Sequence, residues 1–153
     1  MRTHSTFLAL AIACSGYAQH AASNSVALPD HEARKLLKQC SRESPRGVDG
    51  FWQLPSKTVK DIDQSIGRVT ELRTALGKII SEPSKYNRQY AGVKIGDRKL
   101  VYINAVLPDP FDLPWQTQAM IVCDGGSTSW GAIYDPANGR FSDLAINSSL
   151  DGA

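Results

Sequence analysis

Few residues in this chain combine the type and spacing that chemistry requires. The histidines are His4, His20 and His31. A hydrolytic triad needs a base between nucleophile and acid. Past the first twenty residues only His31 could serve, and it falls at a helix start, where solvent exposure explains it. Gly126-Ser127-Thr128-Ser129-Trp130-Gly131 has the look of a nucleophile elbow, but the spacing departs from G-x-S-x-G and a strand follows where a helix should. Asp109, Asp112 and Asp124 could pair for glycoside chemistry. They lie among prolines and glycines, however, where carboxylates ordinarily hold backbone amides. No acid run matches a calcium loop, zinc lacks ligands, and there is no phosphate loop. The residues therefore imply no cofactor and no enzyme, with a carboxylate-based hydrolase as a minor alternative.

The cysteines are more informative. Cys14 falls in the N-terminal segment, just after its apolar run, which leaves Cys40 and Cys123 as a lone pair. In an oxidising compartment such a pair is expected to be joined. The bond would close a loop of roughly 80 residues, for which chain entropy suggests about 4.5 kcal/mol at the upper end.

The N-terminus points to that compartment. Arg2, the apolar stretch Phe7–Ala13 and the small residues of Gly16-Tyr17-Ala18 have the order of a secretory signal over residues 1–18. The stretch is much shorter than the about 20 residues a bilayer span needs. Ala11-Ile12-Ala13-Cys14 resembles a lipoprotein box, so the alternative processing acylates Cys14. Either route leads to the periplasm or the exterior. No other stretch reaches membrane length.

The formal charge of the whole chain is +2, which gives no reason to expect nucleic acid. The charge is unevenly placed. Residues 19–99 carry an excess of cations, whereas residues 100–153 hold Arg140 against six acids. A helical layer with solvated lysines on a sheet with acidic turns accounts for this.

Periodicity supplies the elements. Residues 19–29 read as a flexible lead-in, and residues 30–150 as one α+β domain. Asp30 caps a first helix with Ala33, Leu36, Leu37 and Cys40 at helical spacing, ended by Pro45 and Gly47. Ser56 caps a longer helix reaching Ile80, with Val59, Ile62, Ile66, Val69, Leu72, Leu76 and Ile80 as its buried stripe. The period then becomes two. Strands are expected over Arg88–Ile95, Lys99–Val106, Gln116–Cys123, Thr128–Tyr134 and Arg140–Ile146. Gly96-Asp97, Asp124–Gly126 and Asp135–Gly139 are the turns. The expected fold is thus α+β, with N-terminal helices, one of them long, packed on a five-stranded antiparallel β-meander.

Tyr90-Ala91-Gly92, Val101–Ala105, Val122–Gly126, Trp130-Gly131 and Tyr134-Asp135, with Trp52–Ser56 ahead of the long helix, resemble small exported proteobacterial proteins of uncharacterised function. The resemblance spans about residues 50–147 and implies no activity.

A small disulfide-tied domain without a catalytic set reads as an exported protein-binding module of the inhibitor or immunity type. Its partner would be another envelope or secreted protein. The alternative is an envelope assembly or structural lipoprotein anchored through Cys14. In a five-stranded meander the loop Leu107–Trp115, stiffened by three prolines, shares an end with the Asp135–Gly139 turn. The expected binding surface is therefore Asp109, Phe111, Asp112 and Trp115 together with Asp135 and Asn138.

Overall fold

A computed structural model describes residues 24–108 and 113–149. The described chain is α+β, but the sheet has six strands and mixed direction. Strands β3 (Asn87–Ile95), β4 (Arg98–Val106), β5 (Ser129–Asp135) and β6 (Arg140–Ile146) form an antiparallel meander. The free edge of β3 is shared by two short strands. β1 (Ser25–Ala27) runs parallel to Arg88–Tyr90, and β2 (Gly50–Phe51) runs antiparallel to Val93–Lys94. Part of the expected lead-in is therefore built into the sheet. Ser25-Val26-Ala27 is sufficient there because the pairing is made by backbone groups, with Val26 packed against the core.

The sheet is covered on both faces, which explains why β3, β4 and β5 are buried almost continuously rather than alternately. On one face, Ile62, Ile66 and Val69 pack with Tyr90, Val101, Ile103, Trp130 and Phe141. On the other, Ala33 and Leu36 of α1 (Asp30–Leu36) pack with Ala91, Val93, Leu100, Tyr102 and Ile133. Gly92 admits the close approach of the chain at Trp52. A Cβ there would lie 2.0 Å from the Trp52 carbonyl oxygen.

The helices differ from their sequence expectation in length and entry. Each is entered through a proline, Pro29 or Pro55, and neither Asp30 nor Ser56 makes a side-chain cap. α2 runs only over Ser56–Ser65 and tightens into a 3₁₀ helix at Ile66–Glu71. Gly67, Val69 and Thr70 are weak helix formers, and Leu72 is already extended. The three-and-four spacing that continues through Leu72, Leu76 and Ile80 therefore belongs to no helix. Leu72 and Ile80 reach the core, whereas Leu76 is 85% exposed.

The largest correction concerns Gln116–Cys123, which forms no strand. β5 takes the place beside β4, with Trp130 opposite Ala105 and Gly131 opposite Asn104. The meander among the described residues has four members, not five. Removing one strand reverses the parity of every later connection. Residues 107–128 join β4 to β5 at one end of the sheet, while Gly96-Asp97 and Asp135–Gly139 share the other. At that other end Arg98 donates to Asp135 at 2.9 Å.

Candidate binding surface: a strap held by buried side chains

The residues expected to form one surface do not come together. Asp135 and Asn138 lie at the end of the sheet opposite residues 107–128. Both also satisfy their own turn: Asp135 accepts from the Ala137 amide at 2.9 Å and from the Asn138 side chain at 3.1 Å. Burial opposes ionisation of Asp135, but the hydrogen bonds from Arg98 and the Ala137 amide outweigh it and hold its carboxyl below the usual range. Asp109, Phe111 and Asp112 lie outside the described residues, as do Cys14 and the rest of the N-terminal segment. Trp115 remains, half-buried against the sheet.

The disulfide between Cys40 and Cys123 is formed, across a separation of 83 positions. It joins the segment after α1 to the β4–β5 connection, not a helix to a strand. Among the described residues no helix is long and apolar enough to cross a membrane. Both features are compatible with export.

Residues 113–128 form an irregular strap across the α1 side of the sheet, and the sheet supplies side chains where a neighbouring strand would supply backbone. Gln89 and Asn104 are cross-strand partners in β3 and β4, both buried. The Gln89 amide donates to the carbonyls of Trp115 and Gln118, each at 2.5 Å, and its oxygen accepts from the Met120 amide at 2.8 Å. Asn104 donates to Gln89 at 2.9 Å and to the Met120 carbonyl at 3.0 Å. Glu32 accepts from the Ala119 amide at 2.8 Å. Further along, Asn147 donates to the Val122 carbonyl at 2.5 Å, and Ser41 accepts from the Asp124 amide at 2.9 Å.

Arg42 is the hub of this network. Its guanidinium donates to the Tyr102 hydroxyl at 3.3 Å, to Ser129 at 2.7 Å, to Asn147 at 2.5 Å, and to Asn104. Its ion-pair role is nil among the described residues, since all four acceptors are neutral. Gly131 makes room for it, because a Cβ would stand 3.0 Å from the Arg42 Nε and 2.9 Å from the Tyr102 oxygen. The Lys35 ammonium, then the Ala119 amide, hold the Glu32 carboxyl below its ordinary range against the opposing effect of burial.

The outer side of the strap exposes two large apolar side chains among polar ones such as Gln116, Thr117 and Gln118. Leu113 is 41% and Ile121 43% exposed. A cavity of about 100 Å³ opens between strap and sheet, lined by Val106, Leu107, Leu113, Trp115 and Met120 among others.

The arrangement can present a surface. Ser129 is committed to Arg42. His31 is exposed, 3.7 Å from a Glu32 carboxylate already held by Lys35. Among the described residues no three His, Cys, Asp or Glu side chains converge as a metal-binding group. Sequence reasoning missed Arg42, Gln89, Asn104 and Asn147. The available signal was Asn104, a carboxamide inside the apolar run Leu100–Val106 of a strand, a pattern that requires partners inside the fold. No protein-family model matches the chain, and comparison with curated proteins and with solved structures likewise finds no match.

Proposed function

We propose that this is an exported, periplasmic or secreted protein-binding module of the inhibitor or immunity type, which works through the outer face of the 113–128 strap. One observation carries the reading: a long irregular connection is immobilised by buried side chains from four other parts of the chain. Long connections without secondary structure in compact domains are usually functional or disordered, and this one is held at Trp115, Gln118, Ala119, Met120, Val122 and Asp124. A fixed backbone that displays Leu113, Trp115 and Ile121 loses little conformational entropy when it binds.

The test uses two variants and a pull-down from the envelope fraction of the producing cell. Leu113→Ser with Ile121→Ser alters two partly exposed side chains, of which Leu113 also lines the cavity, and should lower the melting temperature less than Asn104→Ala does. It should lose whatever partner the wild-type protein retains. Asn104→Ala, which leaves Arg42 and the Met120 carbonyl short of a partner, should cost about 1–3 kcal/mol and weaken retention without touching the surface. A partner held equally by wild type and both variants refutes the assignment.

A further inference from the structure

The second apolar feature of the surface lies away from the strap. Residues 75–79, Ala-Leu-Gly-Lys-Ile, are exposed without interruption. Leu76 is 85% and Ile79 46% exposed. Ala75-Leu76-Gly77, with Ile79 beyond Lys78, forms a small exposed apolar tip, and exposed apolar patches mark interaction sites. Mobility does not account for this one. The Thr74 amide donates to the Lys78 carbonyl at 2.9 Å, the Gly77 amide to the Thr74 carbonyl at 2.9 Å, and the Lys78 amide to the Thr74 hydroxyl at 3.0 Å. Gly77 takes φ +76°, which a glycine adopts without strain. On either side, Leu72 packs against the core and Ile80 is buried in it.

Within the segment the charge has one sign, although Glu43 and Asp143 also line the cleft beside Arg73 and Ala75. Residues 72–81 contain Arg73 and Lys78 and no acid. The flanking acids are already engaged, Glu71 by Arg68 and Glu82 by Lys85. Among the described residues neither Arg73 nor Lys78 is in an ion pair, and both are exposed. An apolar tip with a collar of cations matches an anionic lipid interface, where leucine enters the acyl boundary and basic groups meet the headgroups. A pocket on a protein matches it less well, because leucine is under-represented among interface hot spots. The closed turn is also not the extended backbone of a substrate-like loop. We propose that the Thr74–Lys78 turn docks the protein on an anionic lipid surface, with Leu76 inserted and Arg73 and Lys78 at headgroup level.

Sedimentation with phosphatidylglycerol-containing vesicles, compared with phosphatidylcholine vesicles, tests this on the exported protein. Weak binding to the anionic vesicles alone is expected, released as salt is raised to about 0.5 M. Leu76→Asn should reduce partitioning at least about fivefold. Arg73→Gln with Lys78→Gln should do likewise, whereas Lys60→Gln on the far side of α2 should not. In Leu76→Trp the added indole emission should shift to the blue when anionic vesicles are present. Absence of binding to anionic vesicles overturns the proposal. So does binding that Leu76→Asn leaves unchanged, an outcome that would place the lipid contact elsewhere on the surface.

Discussion

Single side chains decide where the strap lies, and Glu32 is the one whose contribution can be switched by pH. Its carboxylate joins α1 to the strap through the Ala119 amide and is held by Lys35 at 2.6 Å. Because its folded-state value is depressed below the ordinary 4.5, the folded state favours the ionised form. The resulting stability is fully present above the unfolded value and is lost as pH falls through the folded one. Wild-type protein should therefore lose melting temperature progressively from about pH 5 downward. Glu32→Gln should melt lower at neutral pH and show a shallower acid dependence. Asp135, depressed for related reasons at the other end of the sheet, keeps that dependence from vanishing. Parallel acid profiles for the two proteins would disprove the role given to Glu32.

At the scale of elements, the segment 56–80 separates what periodicity can and cannot convey. The first four turns behave as the spacing predicts: Ile62, Ile66 and Val69 are buried under the sheet, and Lys60 is exposed. Ile66→Ala should cost about 2–5 kcal/mol by leaving a cavity, while Lys60→Ala should stay within about 0.5 kcal/mol. Leu76 is the discriminating position. On a helix reaching Ile80 it would share the stripe with Ile66 and cost as much to remove. On the turn described above, Leu76→Ala should stay within about 0.5 kcal/mol by urea unfolding. A loss comparable to that of Ile66→Ala would mean that the helix continues. β6 illustrates a different local decision. It is an edge strand, and a bulge opposite Gly131–Ile133 places Asp143 at φ +53°. An irregular, charged edge is a poor template for another strand.

Across the whole molecule, the disulfide and the Arg42 network act on the same seam. Cys40, Ser41 and Arg42 are consecutive, and they tie the chain after α1 to the strap, to β4 and β5, and to the end of β6. Reduction of Cys40–Cys123 should lower global stability by about 2–5 kcal/mol. Hydrogen exchange should accelerate first at the amides of Met120 and Asp124, before those of β3 and β4, because the strap lacks a backbone ladder of its own. Uniform acceleration through the sheet would show that the seam is not a separate unit.

Several features of this protein were settled by local physics. The pairing of two cysteines, the β3–β4 hairpin through Gly96-Asp97, the β5–β6 turn at Asp135–Gly139 and the first half of the α2 stripe depend on neighbours in sequence or on simple counting. The structure bears each of them out. What depends on competition among distant segments was not legible. Gln116–Cys123 ends in the apolar run Ala119–Cys123 that a buried strand would show, yet β5 occupies the edge of β4, and the loser of that competition is held by Gln89 and Asn104 instead. Likewise the spacing of Leu72, Leu76 and Ile80 is indifferent to whether the chain between them is helical. The candidate surface inherits both decisions. Trp115 was visible as an aromatic residue in a proline-rich loop, but its separation from Asp135 follows from the parity of a strand count that tertiary packing alone determined.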